Sequence, residues 1–206
     1  IQAITINALF PHKLAYICKN NSSKLIHFST DCVFDGKKGG YIESDQSNAV
    51  DLYGRTKFLG EVNYNNCITL RTSLIGHELK SKHGLVEWFI SQESVVKGFT
   101  NAVFSGFPTI EIANIIKRFI LPEKNLKGLF HLSSKPISKY DLLKLISDVY
   151  NKKIEIIPYE DYYIDRSLDS TKFKKLTGYR SPEWVTLIKE MYKNFKNSKI
   201  YHGGKI

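Results

Sequence analysis

The 206-residue sequence is poor in sulfur, with one methionine, Met191, and three cysteines. Cys18, Cys32 and Cys67 are odd in number and lack CxxC spacing, so they read as free thiols of a reducing compartment. Neither a disulfide frame nor a metal site is expected from them. No apolar run reaches the roughly 18 residues of a membrane span, so no membrane partner is expected. Arginine is scarce, supplying five of the 30 basic residues. Recognition of nucleic acid favours arginine forks on a defined element, and none is evident, so nucleic acid is not expected as a partner. A glycine-rich GxGxxG turn and a P-loop are both missing. The chain opens at Ile1, and Ile1 to Leu9 is apolar without the basic flank or cleavage signature of a secretory segment. A cytoplasmic protein is therefore expected, with this chain as the middle and end of a larger α/β enzyme.

What is present is ordinary for a folded domain. Apolar residues make up 42% and charged residues 24%, which excludes wholesale disorder. The net charge of +10 is uneven: residues 171–206 hold nine basic residues against two acidic ones. A lysine-rich final helix reads first as a solvated face, and second as a surface that attracts anionic substrates.

Apolar spacing predicts a helix over 2–19, with Pro11 kinking it or shifting its boundary. KLIHFS at 24–29 and CITL at 67–70 have strand length, and a helix from Tyr53 to about Asn63 lies between them. Helices are also expected at 85–91, 110–121, from Ser138 onward, and from Pro182 to about Phe195. Short strands are expected at 95–98, 126–134 and 154–158. This order predicts an α/β fold: an incomplete Rossmann-like parallel sheet with helices on both faces, plus a small C-terminal substrate-binding α/β region.

The sharpest chemical motif is YGRTK, Tyr53 to Lys57. Residues four apart share a helix side, so both heads can address one substrate. A phenol with a reference pKa of about 10 is a weak acid–base group, and a nearby ammonium lowers that value. The pair can then protonate an oxygen that becomes an alkoxide after hydride attack. The same spacing also arises by chance in many helices. Upstream, Ser29 and Thr30 end a presumed strand, where α/β folds place ligand chemistry, although either hydroxyl can equally serve as a cap or turn group. Asp31 and Asp35 read as turn residues.

Taken in order, STDCVFDG at 29–36, YIESD at 41–45, YGRTKFLGE at 53–61 and LRTS at 70–73 resemble the extended short-chain dehydrogenases/reductases, in particular the dTDP-4-dehydrorhamnose reductase group. INALFPHKLA at 6–15, SGFPTIEIA at 105–113 and DRSLDSTKF at 165–173 extend the resemblance over essentially the whole chain. It implies reduction of a 4-keto nucleotide-sugar, dTDP-4-dehydrorhamnose or a related deoxysugar, for cell-surface polysaccharide precursors. NADP or NAD is the implied cofactor, the nucleotide-sugar the implied partner, and a homodimer is compatible with it.

The resemblance also implies roles. Tyr53 is the general acid, Lys57 lowers its pKa and binds the nicotinamide ribose, Thr30 is the third member, and Asn7 helps hold the frame or a relay water. Ser29, Thr72 and Ser73 join Lys57 at the cofactor. Arg71 is either a site residue or a structural ion-pair partner. Lys82, Lys97, Phe99 and Arg166 are candidates for the diphosphate or base pocket, with Arg166 foremost. Residues 1–76 are expected to complete the dinucleotide-binding domain, and 77–206 to bind substrate, with segments around 95–121 free to return to the first domain. Two departures stand out: Leu74 and Cys32 replace aromatic residues that the group usually carries, which bears on the identity of the sugar. Two other readings share the same residues. One is an epimerase or dehydratase of the same superfamily. The other is a non-catalytic subunit similar to the reductase-like regulatory subunit of methionine adenosyltransferase.

Overall fold

The computed structural model describes residues 1–201, so the end of the expected C-terminal region, 202–206, lies outside the described residues. Three parallel strands form the central sheet in the order β1 (Leu25–Thr30), β2 (Cys67–Thr72), β7 (Gly128–His131). The register runs Ser29 beside Arg71 beside His131, with Thr30 beside Thr72 in the next row. Alternation then sends the two rows to opposite faces.

The two faces bury different things. On the Leu25 face, Ala15, Val62 and Cys67 pack with Leu25. This brings in α1 (Phe10–Asn20), while α2 (Leu52–Leu59) lies along β1 on the way to Val62. On the other face Ile68, Leu70 and Phe130 join the main core. Helices α4 (Thr109–Ile115) and α7 (Trp184–Asn197) supply Ile112, Ile115, Trp184, Leu187, Ile188 and Met191 to it. The expected parallel sheet with helices on both faces is what the chain forms.

Smaller pairings flank this layer. β3 (Leu74–Ile75) pairs with β6 (Phe107–Pro108), and β4 (Val96–Phe99) with β9 (Ile156–Tyr159), both parallel. β5 (Ala102–Phe104) lies between β10 (Ile164–Asp165) and β8 (Ile137–Ser138). Helices α3 (Leu85–Ser91), α5 (Lys139–Tyr150) and α6 (Thr171–Thr177) complete the order. The sheet takes β7 from beyond residue 76, so the layer itself crosses the boundary expected there. No helix among the described residues is long and apolar enough to cross a membrane.

Local chemistry accounts for where the elements differ from expectation. The helix expected over 2–19 forms, but Ile4–Leu9 is π-helical, with the Phe10 amide donating to the Thr5 carbonyl. Pro11 has no N–H to return to Asn7, and the chain re-enters the α-helix with proline in its first turn. Helix α2 ends at Leu59, earlier than the expected Asn63, because Gly60 caps it. A Cβ on Gly60 would sit 1.8 Å from the Asn7 carbonyl oxygen, so the two helices approach there through glycine. The strand expected over 126–134 shortens to Gly128–His131, entered through Gly128 at φ +93°. The helix expected over 110–121 spans α4 and continues as a π-helical turn over Ile116–Ile120. The two-residue strands and α6 carry too little periodicity to be read from sequence.

Candidate active site

The site begins where β1 ends. Thr30 is extended and caps a 3-10 turn, Asp31–Val33, by accepting from the Cys32 amide at 3.1 Å. Its hydroxyl donates to Asp31 Oδ1 at 3.2 Å and lies close enough to the Tyr53 phenol to lower its pKa. Asp51 caps α2 by accepting from the Gly54 amide at 2.8 Å, which places Tyr53 in the first turn. Gly54 lets that turn close on the Asp31–Val33 turn, because a Cβ there would lie 2.2 Å from the Cys32 carbonyl oxygen. Two backbone devices thus bring Tyr53 to Thr30.

The electrostatics of Tyr53 differ from the sequence expectation. Its pKa is raised, chiefly by burial, with the Thr30 hydroxyl opposing and Cys32, Asp31 and Asp51 adding to the rise. Lys57 Nζ is engaged elsewhere, donating to the Phe28 carbonyl at 2.6 Å. Burial lowers the pKa of Lys57 itself, and Glu61 opposes that. In this state the phenol is held protonated rather than drawn toward phenolate.

Asn7 reaches α2, donating to Thr56 Oγ1 at 3.2 Å, while Thr56 donates to the carbonyls of Leu52 and Tyr53. It therefore braces the helix that carries Tyr53. Ser29 turns to the other face and donates to Glu61 Oε1 at 2.7 Å. Glu61 also takes both arms of Arg71 at 2.7 Å, and Arg71 Nη1 meets His131 Nε2 at 3.3 Å. Of the two readings of Arg71, this geometry shows the ion-pair partner. Thr72 is buried, with its hydroxyl directed at the Ser73 carbonyl at 3.4 Å. Ser73 lines the same cavity as Asp31 and acts to lower the pKa of its carboxylate.

Next to this center lies a cavity of about 160 Å³. Its polar lining is Asp31, Cys32, Ser73, Lys139, Tyr162 and Arg166, against walls of Val103, Phe104 and Ile164. Asp31 is buried, and that burial raises its pKa against the opposing effects of Ser73, Thr30 and Cys32 and the charge of Arg166. Arg166 is anchored by Nε to the Phe34 carbonyl at 2.9 Å and by Nη1 to Cys32 Sγ at 3.4 Å. Phe99 is one ring away, 5.1 Å from Tyr162. Lys97 lies over Tyr159 at 4.4 Å, and Lys82 sits on an exposed loop; neither lines the cavity. Leu74 is 47% exposed on β3 and does not line it either.

Asp31 reads from sequence only as a turn residue, which it is, and Lys139 and Tyr162 are not singled out there. Asp31 adjoins Thr30, and its neighbourhood was the available signal, but a buried aspartate and a turn aspartate look alike in sequence. Nothing local marks Lys139 or Tyr162. A larger open groove, about 470 Å³ and lined by Lys135, Lys174, Lys175 and Arg180 among others, is lined by none of the site residues named above.

A parallel sheet with a Thr-Tyr-Lys group at the end of its first strand defines a Rossmann-like α/β chain of the short-chain dehydrogenase/reductase type. The family model described as "RmlD substrate binding domain" matches residues 1–197, and the chain belongs to that family. It is 31% identical over 156 residues to methionine adenosyltransferase 2 subunit beta of Danio rerio, covering 68% of this chain and 48% of that protein. It is 26% identical over 214 residues to a dTDP-4-dehydrorhamnose reductase of Aggregatibacter actinomycetemcomitans, covering 92% and 73% respectively. Among solved structures, the dTDP-4-dehydrorhamnose reductase of Bacillus anthracis in complex with NADP superposes with a TM-score of 0.79 at 21% identity, over 92% of this chain and 72% of that one. The chain thus spans about half the length of the first relative and about three quarters of the other two.

Proposed function

We propose that the protein reduces a 4-keto nucleotide-sugar, dTDP-4-dehydrorhamnose or a related deoxysugar, with Tyr53 as proton donor. The observation that carries this reading is the placement of Tyr53, which the Asp51 cap and Gly54 bring onto the turn after Thr30 at the end of β1. A reductase must deliver a proton to an oxygen gaining negative charge, and a phenol kept protonated by burial and by Asp31, Asp51 and Cys32 is suited to give one. An epimerase or dehydratase would use the same phenol but return the hydride to the sugar, so net oxidation of the cofactor separates the two readings.

NADP or NAD, when bound, supplies the hydride. This chain's share of that site fits a ribose and a nicotinamide: Lys57 spends one of its three N–H donors on Phe28 and is half-buried beside Tyr53, while Thr72 and Ser73 close the end of β2. Thr30 orients the phenol, Asn7 braces α2, and Arg166 lines the sugar cavity. Ser29 turns its hydroxyl to Glu61 and braces the buried Glu61–Arg71 pair behind the site. Phe99 stands behind Tyr162, which lines the cavity, and Lys97 and Lys82 lie outside that lining. Residues 1–76 serve the dinucleotide and most of 77–206 the sugar, with β7 returning to the sheet. A cytoplasmic enzyme is the setting that the free thiols favour.

The test is net oxidation of NADPH or NADH by the intact protein over a panel of 4-keto nucleotide-sugars. Oxidation matched by a reduced sugar is expected; formation of an epimer without net oxidation overturns the reading. The Danio rerio similarity favours a second reading, a non-catalytic subunit. Its signature is the absence of turnover together with a stable complex with a methionine adenosyltransferase catalytic subunit.

A further inference from the structure

The cavity beside Thr30 contains a cation that the proposed proton transfer does not use. Lys139 is half-buried, lines the cavity, and has no hydrogen bond, ion pair or ring contact among the described residues. It is also the first residue of α5, a 12-residue helix capped by Ser138. A cation in a first turn faces the positive end of the helix dipole, which is the unfavorable end for it. The helix dipole gives no reason for a cation at this position. The same cavity is lined by Arg166, whose Nε and Nη1 are engaged by Phe34 and Cys32 and whose Nη2 has no hydrogen bond among the described residues. Buried Asp31 is the one carboxylate in the cavity lining, set against two cations.

We infer that Lys139 and Arg166 form an oxyanion subsite, with Lys139 the determinant that selects a negatively charged group on the substrate. Arg166 is pre-set by its backbone anchor and offers the spare edge of its fork; Lys139 closes over the anion as a mobile point charge. Ser73 and Tyr162 add hydroxyls to the same space, and Val103, Phe104 and Ile164 keep it partly dry, which strengthens the charge interaction. The proposal rests on the nucleotide-sugar reading and deepens it. Two sources carry this chemistry: a phosphate at the sugar–nucleotide linkage, or a carboxylate on the sugar itself.

Binding to the intact protein distinguishes these, with dTDP, glucuronate, thymidine and glucose as probes measured by calorimetry. At least one anionic probe is expected to bind more tightly than its neutral counterpart. Lys139→Met is expected to weaken that probe at least about tenfold, while Lys139→Arg retains most of the affinity. A response to dTDP assigns the phosphate, and a response to glucuronate assigns a sugar carboxylate. Because Lys139 opposes the helix dipole, Lys139→Met is expected to leave the melting temperature unchanged or raised, unlike a residue with only a structural role. Equal binding of charged and neutral probes, no binding of either anion, or unchanged affinity in Lys139→Met overturns the subsite. NADPH turnover is scored separately: Lys139-dependent dTDP binding without turnover leaves the subsite standing and removes the reductase.

Discussion

Tyr53 is both half-exposed and electrostatically held in its neutral form, and this combination sets what its loss does. Removing the hydroxyl in Tyr53→Phe leaves the ring packed and takes away only the transferable proton. Turnover is expected to fall about 10²- to 10⁴-fold, the usual worth of a positioned general acid, with stability unchanged. Steady-state NADPH oxidation together with thermal melting checks both. Glu61 presents the opposite case, a residue whose worth is structural. It takes a bidentate arginine and a serine hydroxyl inside the sheet–helix interface. Glu61→Ala leaves Arg71, whose side chain is 3% exposed, as an uncompensated charge. The expected cost is about 3–5 kcal/mol in urea unfolding. The double variant Glu61→Leu/Arg71→Met is expected to cost less than Glu61→Ala, since no charge is then stranded.

At the scale of elements, the site depends on how closely helices can approach. Gly60 ends α2 directly on the Asn7 carbonyl, the same carbonyl that Pro11 leaves without its helical donor. Gly60→Ala must push the first helix away, at a cost of about 1–3 kcal/mol, and loosen the Asn7–Thr56 bond that braces α2. Lower turnover accompanying a lower melting temperature is the expected signature. Helix α7 and strand β2 were legible because their apolar spacing follows a continuous buried face, whereas α1 and α2 leave Phe10, Ile17, Leu52 and Leu59 exposed and were legible from spacing and motif alone. The Thr30–Tyr53–Lys57 grouping was legible as a motif series. What stayed hidden is set by contacts across the chain. Asp31 gains its meaning from Ser73 and Arg166, and Lys57 is turned to Phe28 by a backbone carbonyl that no spacing rule reveals. The π-helical turns follow from the local cost of Pro11 and from packing, not from a composition that sequence displays.

Across the whole molecule, acid is resisted unevenly, because buried histidines and a buried aspartate pull in opposite directions. His131 is fully buried, and its pKa is lowered to about 4 by burial first and by the Arg71 charge second. Its partners explain this: Nδ1 faces the Tyr41 carbonyl and so donates, leaving Nε2 to accept from Arg71. A second proton would set an N–H against a guanidinium. His27, with a buried Nε2 that lacks a partner among the described residues, is likewise lowered to about 4 by burial and by Lys57. Both groups bind protons more readily when unfolded, from near pH 6.5 downward. Their contribution is therefore intact above that value and lost as pH falls toward about 4. For His131 the loss is at most about 3 kcal/mol, and less for His27, which solvent partly screens. Asp31 acts in the reverse sense: its raised pKa makes the charged form costly at neutral pH, and protonation relieves it. With two histidines against one aspartate, stability is expected to decline between pH 6.5 and 4. Urea midpoints across that window check it, and His131→Gln is expected to flatten the decline. An unchanged slope in that variant would assign the acid sensitivity to groups other than the Arg71–His131 contact.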